Sequence, residues 1–189
     1  DWKELAEKFG FGSITGVDIY GEKRGNVPGK SYLNKKYGRY GWAAGNLLTF
    51  IIGQGDVLVT PIQVVQMMNI IATRGNTRSP HFNLDDTSEK MTLSLKSSTW
   101  DYLQNATWKV VNHKDGTGKA AYVDGAIIHG KTGTAQNPHG EDHSWFTGYM
   151  VHNNNPILSL VVLVEHGGKG SVEAAIISNK IFKYAQKKY

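Results

Sequence analysis

The chain of 189 residues contains no cysteine, which removes disulfides, thiolate metal sites and cysteine nucleophiles together. Reducing and oxidising compartments both tolerate a cysteine-free chain, so this absence selects neither. Long apolar runs are also missing. The longest, Ile157 to Val164, is interrupted by Ser159 and falls far short of the ~20 residues of a membrane-spanning helix. The opening residues, Asp1-Trp2-Lys3-Glu4-Leu5, have no initiator methionine and no secretion-signal pattern; they read as the middle of a helix, and the expectation is a fragment or a processed piece. Acidic residues are in modest deficit, 16 against 21 Lys and Arg, for a net charge of +5. Lys23, Arg24, Lys30, Lys35, Lys36 and Arg39 crowd between Gly21 and Tyr40, and Lys180, Lys183, Lys187 and Lys188 lie near the chain end. No recognition motif accompanies either cluster, so the reading is a solvated basic face and no nucleic-acid partner, with an anionic substrate or polymer also compatible.

What is present is material for a core. Hydrophobic residues make up 40% of the chain and charged ones 20%, which excludes disorder, and the length suits one domain. Residues 2–9 read as the end of a helix stopped by Gly10 and Gly12, and from there to about Gly45 the chain reads as a long loop. Thr60-Pro61-Ile62-Gln63 has an N-cap threonine, a proline at the first helical position and a capping-box glutamine, and predicts a buried helix carrying Val64 to Ile71. A second helix is predicted from Ser98, capped with Asp101 and carrying Trp100, Leu103, Thr107 and Val110 on one side, ending before Gly116-Thr117-Gly118.

The hydrophobic period then changes to that of strands, near 125–134, 144–151 and 157–165, with Asn153-Asn154-Asn155-Pro156 as the turn of an antiparallel hairpin. Ser171 is expected to cap a last helix with Ala174, Ile177, Ile181 and Ala185 on its apolar stripe. The fold class is therefore α+β, a small antiparallel sheet packed with helices. One partial domain is expected over 1–189, mainly helical and Gly-rich over 1–124, with hairpin sheet and terminal helix over 125–189.

Gly125 to Thr132 matches the phosphate-loop pattern G-x-x-x-x-G-K-[ST] letter for letter. That loop needs small residues to wrap a phosphate and a helix that begins at the lysine. Ala126, Ile127 and Ile128 are strand material, and Gly133 followed by Gln136-Asn137-Pro138 cannot sustain a helix. On the other reading, a strand delivers Lys131-Thr132-Gly133-Thr134 to an exposed end: a cation, two hydroxyls and a glycine forming an anion-holding edge. Lys-Thr-Gly is also the third signature of penicillin-recognising serine acyltransferases. His139, Glu141, Asp142 and His143 are four potential ligands, but Pro138 and Gly140 make their segment a connecting loop, and no metal or cofactor is expected. Glu165-His166 is possible as a carboxylate–imidazole pair, but adjacent strand residues face opposite ways, so a structural role is the better reading.

Several segments together carry a resemblance. Phe9-Gly10-Phe11-Gly12 is followed by Thr15-Gly16-Val17-Asp18 and Gly21-Glu22; then come Ile52-Gly53-Gln54-Gly55 and Val59-Thr60-Pro61-Ile62-Gln63. Gly116-Thr117-Gly118, Gly130 to Gln136, Asp142-His143-Ser144-Trp145-Phe146, Val164-Glu165 and Ala174-Ala175 complete the series. In this order they resemble the C-terminal part of the transpeptidase domain of class B penicillin-binding proteins, most like the elongation-type penicillin-binding protein 2 subfamily, over nearly the whole chain.

The resemblance implies a peptidoglycan D,D-transpeptidase in which a serine attacks the penultimate D-alanine of a stem peptide. It would make Lys131 a source of positive charge near the nucleophile, and Thr132 and Thr134 holders of the terminal carboxylate of the substrate or of a β-lactam. The backbone N–H of Thr134 would be an oxyanion donor, and Gly133 would leave space for substrate beside the strand. It also implies a membrane glycosyltransferase of the elongation machinery as partner, and an extracytoplasmic location on an anchor outside these residues. The family's nucleophile motif Ser-x-x-Lys and its Ser-x-Asn are absent; Thr87-Ser88-Glu89-Lys90 is the nearest approach. The expectation is therefore a truncated domain, with no nucleophile in this chain and no catalysis by it alone. Two alternatives stand beside this: a non-catalytic module of the same fold that binds cell-wall peptides or a partner, and a nucleotide binder at 125–132.

Overall fold

The computed structural model describes residues 2–84 and 88–189; Asp1, and Thr87 of the stretch nearest to a nucleophile motif, lie outside the described residues. The first helix, α1, is Trp2–Lys8. The stretch expected as one long loop instead holds a short helix, α2 (Lys30–Tyr37), and a second that the sequence did not announce, α3 (Ala44–Ile51), begins at its end. Neither has a side-chain oxygen cap at its N-cap, Gly29 and Ala43; at α3, Asn46 Oδ1 accepts from the Ala43 N–H at 2.9 Å.

Helix α4, Pro61–Ala72, begins as its sequence dictates. Gln63 N–H donates to Thr60 Oγ1 at 3.3 Å, and Thr60 N–H to Gln63 Oε1 at 3.0 Å. The Gln63 Nε2 then donates to the carbonyls of Ser13 (2.7 Å) and Arg24 (2.8 Å), so one buried side chain both caps α4 and ties down the Gly-rich passage. A two-stranded ribbon follows that the sequence reading did not contain, β1 (Asn76–Arg78) with β2 (Lys90–Thr92). Lys90 is thus in extended chain.

Helix α5, Ser97–Asn112, starts one residue before the expected Ser98, and Asp101 does not cap it. Asp101 instead pairs with Arg74 Nη1 at 2.8 Å, while Arg74 Nη2 donates to Ser97 Oγ at 2.9 Å.

The three expected strands form one antiparallel sheet in the order β3 (Ile127–Ala135), β4 (His143–His152), β5 (Asn155–Val164). The β4–β5 turn is tighter than the four residues proposed. Asn153 and Asn154 both take positive φ, +48° and +62°, the geometry of a two-residue hairpin, and Pro156 already lies in β5. Ile128, Phe146, Met150 and Leu160 point to one face of the sheet, where α6 (Glu173–Lys188) covers them with Ala174, Ala175 and Phe182. Tyr149 points to the other face and packs on Met68, Ile71 and Ala72 of α4. The sheet is therefore enclosed between helices, with β3 at an edge.

Two expectations about α6 are corrected. Its buried stripe is Ala174, Ala175, Ser178, Phe182 and Ala185, while Ile177 and Ile181 remain partly exposed. Its N-cap is Val172 without a side-chain bond, and the oxygen that Ser171 was expected to supply comes from Ser144 on β4, whose Oγ accepts from Ala174 N–H at 3.1 Å.

Candidate active site

The strand runs unbroken through Gly130, Lys131 and Thr132, so no helix begins at the lysine and the phosphate-loop reading is overturned. Gly130 has a packing reason instead. A Cβ there would overlap the ring of Phe146, which is fully buried. Gly133 is a similar case: it pairs with Trp145, whose Cβ lies 3.2 Å from where a Gly133 Cβ would be. The loop after β5 closes over the same strand, because Gly170 lies so near the Gly133 carbonyl that no side chain fits.

Side chains alternate along β3. His129 and Lys131 fall on the face that looks toward α4 and α5, and Thr132 and Thr134 on the α6 face. His129 stacks on Tyr149 with ring centroids 4.4 Å apart, and its Nδ1 donates to the Gln104 carbonyl at 2.9 Å. Burial holds the His129 imidazole below its ordinary pKa of 6.5, with the Gln104 bond opposing. The Lys131 ammonium stays open to the groove, yet partial desolvation lowers its pKa from the ordinary 10.5. Its Nζ turns back to donate to the Thr132 carbonyl.

The hydroxyls are already oriented. Thr134 Oγ1 accepts from Gly170 N–H at 3.1 Å, which leaves its own O–H to donate elsewhere. Thr132 Oγ1 lies 2.9 Å from Thr117 Oγ1, so the Gly116-Thr117-Gly118 turn brings a third hydroxyl to the edge. The Thr134 carbonyl accepts from Gln54 Nε2 at 3.0 Å. It therefore faces away from β4, and because a residue's N–H and C=O share a side in an antiparallel strand, the Thr134 N–H faces the free edge as well. Thr117 and Gln54 were visible in sequence only as members of motifs. Nothing in the sequence tied either of them to this strand.

Beside the edge lies a groove of about 710 Å³, its walls formed mainly by apolar side chains of α1, α3 and α4, with Lys131 and Trp145 on the sheet side. Ile51 and Ile52 at its rim are 51% and 73% exposed, more apolar surface than a free rim usually offers. The acidic and histidine cluster lies past the end of β3. His143 Nδ1 accepts from His166 N–H at 3.0 Å, Asn137 Nδ2 is 3.1 Å from His166 Nδ1, and the two imidazoles meet edge-on at 5.1 Å. These contacts tie the β3–β4 loop to the end of β5, and no group of three or more potential metal ligands occurs among the described residues.

A profile of the penicillin binding protein transpeptidase domain matches residues 1–183. The chain belongs to the penicillin-binding protein transpeptidase family. Among relatives in that family, the peptidoglycan D,D-transpeptidase MrdA of Haemophilus influenzae is 32% identical over 93% of this chain and 31% of its own length. The solved penicillin-binding protein PBP2 of Helicobacter pylori is 33% identical, with a TM-score of 0.81 over 97% of this chain and 35% of its own. A second Helicobacter pylori structure, a complex of PBP2 with MreC, superposes with a TM-score of 0.81 at 31% identity, over 97% of this chain and 36% of its own. The chain thus spans about a third of the length of the penicillin-binding proteins that it matches, and in that family the Lys-Thr-Gly strand is the signature element described above.

Proposed function

We propose that the parent protein is a peptidoglycan D,D-transpeptidase and that these residues form the donor-binding wall of its acyl-transfer site. The observation that carries this reading is the free edge of β3, where the Thr134 N–H points outward between the Thr132 and Thr134 hydroxyls on one face of the strand and the Lys131 side chain on the other. A serine from the rest of the parent attacks the penultimate D-alanyl carbonyl of a stem peptide. The C–N bond to the terminal D-alanine breaks, and an amine of a neighbouring stem then displaces the serine oxygen. Lys131 stabilises the negative charge that develops near the nucleophile, the two threonine hydroxyls hold the terminal carboxylate, and the Thr134 N–H is one oxyanion donor. Such a donor contributes about 2.7–4 kcal/mol to the transition state. Gly133 keeps the strand face clear for an extended peptide lying alongside.

No Ser-x-x-Lys or Ser-x-Asn occurs in these 189 residues, so the catalysis belongs to the parent and not to this chain alone. The apolar groove is, on this reading, where the remainder of the domain seats its own apolar face. β-Lactams bind as acylating donors at the same edge. The parent works at the extracytoplasmic face of a bacterial membrane on an anchor outside these residues, with a membrane glycosyltransferase as partner; the MreC complex of the Helicobacter pylori relative supports an MreC-type scaffold as another.

Fluorescent-penicillin labelling of the parent protein tests this reading. Wild type is expected to label covalently, and Lys131→Met to label about 10²- to 10⁴-fold more slowly. Wild-type labelling rates in Lys131→Met would sink the assignment of this strand.

A further inference from the structure

The free edge of β3 is partly occupied by the chain itself. Gln54 stands between Gly53 and Gly55, whose φ angles of +77° and +70° turn the chain sharply as it leaves α3. The turn is internally bonded: Gly53 N–H donates to Phe50 O at 2.9 Å and Gln54 N–H to Thr49 O at 3.0 Å. The Gln54 side chain is left to reach across to the Thr134 carbonyl, 80 residues away in sequence. A primary amide there imitates a peptide N–H. An extended ligand adding to this edge brings its own backbone N–H to the same acceptor, since edge carbonyls and N–H groups are what strand addition uses.

We propose that Gln54 is a specificity-determining residue whose side-chain amide competes with the ligand's N–H for the Thr134 carbonyl. Donors with a secondary amide N–H next to the reacting carbonyl must displace Gln54, and donors without one leave it in place. The proposal rests on the reading of β3 as the acyl-donor edge. It follows from geometry: the carbonyl already has Gln54 as its edge-side partner, the bond is solvent-exposed, and the turn that carries Gln54 is held by its own backbone bonds.

The test compares acylation rate constants of the parent protein for benzylpenicillin, which has an acylamido N–H beside its β-lactam carbonyl, and for a carbapenem, which has a hydroxyethyl group there. Removing the competitor in Gln54→Ala is expected to raise the benzylpenicillin rate roughly 2- to 10-fold, the equivalent of one net hydrogen bond, while the carbapenem rate stays nearly constant. Gln54→Glu, which cannot donate to a carbonyl at neutral pH, is expected to move the ratio the same way. A fall in the benzylpenicillin rate, or equal changes with both compounds, would overturn the proposal. If wild type is acylated by neither compound, the donor-edge reading fails and the proposal fails with it; normal acylation with an unchanged ratio removes the proposal alone.

Discussion

Single residues at this site serve packing and, on the proposed reading, chemistry, and Gly130 illustrates the first. Its place in Gly130-Lys131-Thr132 invites a phosphate-loop explanation, but the Phe146 ring occupies the space a side chain would need. Phe146 is fully buried and packs edge-on against Phe182, so it has nowhere to retreat. Gly130→Ala is therefore expected to destabilise the fold by about 1–3 kcal/mol, read as a lower urea midpoint with unchanged slope. Lys131 illustrates the second duty. Its ammonium is partly desolvated beside an apolar groove, so exchanging it for Met removes the charge while keeping an unbranched side chain of similar length. At this scale the sequence was most readable in placing Lys131, Thr132, Gly133 and Thr134 on one strand, because its β-rich flanks gave the period. It was least readable for Gln54 and Thr117, because their partners Thr134 and Thr132 are joined to them only by the tertiary fold.

Elements were legible in proportion to their local signals. Helix α4 has a cap, a proline and a capping box in sequence, and all three operate. The hairpin was legible from its asparagines, two of which adopt positive φ. Helices α2 and α3 were not legible because they are short, each buries one large side chain, Leu33 and Phe50, and neither begins at a side-chain cap. The phase of α6 misled for a different reason. Isoleucine at helical spacing is ordinarily the core stripe, but here small residues face the sheet so that the helix can approach it closely, and Ile177 and Ile181 fall at the margin. The cap of that helix crosses from another element: Ser144 Oγ accepts from Ala174 N–H and donates to Lys169 O at 3.0 Å. Ser144 thus fixes the start of α6 and the loop whose Gly170 orients Thr134. Ser144→Ala is expected to cost about 1–3 kcal/mol by denaturation, because a buried donor and acceptor both lose their partner. In the parent it should also slow β-lactam acylation, whereas Ser171→Ala, at the cap position the structure does not use, should leave stability within about 0.5 kcal/mol of wild type.

For the whole molecule, the sheet held between α6 and α4 makes stability depend on pH through His129. In the folded state its pKa lies below the ordinary 6.5 because it is buried against Tyr149 and α5. The unfolded chain takes up that proton first as pH falls, so it binds more protons than the fold between the two pKa values, and stability declines as pH drops from about 6.5 toward the folded value. The expected result is a urea midpoint that falls between about pH 7 and pH 5 in wild type and falls less in His129→Gln. The α+β class and the family were legible from sequence because the motifs occur in one order over nearly the whole chain. On the reading proposed above, these residues are the donor-binding wall of an acyltransferase whose nucleophile lies outside them. Intact-mass analysis after incubation with benzylpenicillin, run on this chain and on the full-length parent, tests it most directly. A covalent adduct is expected on the parent and none on this chain. An adduct on the 189-residue chain would contradict it by placing a nucleophile within these residues, and no adduct on either would contradict the acyltransferase itself.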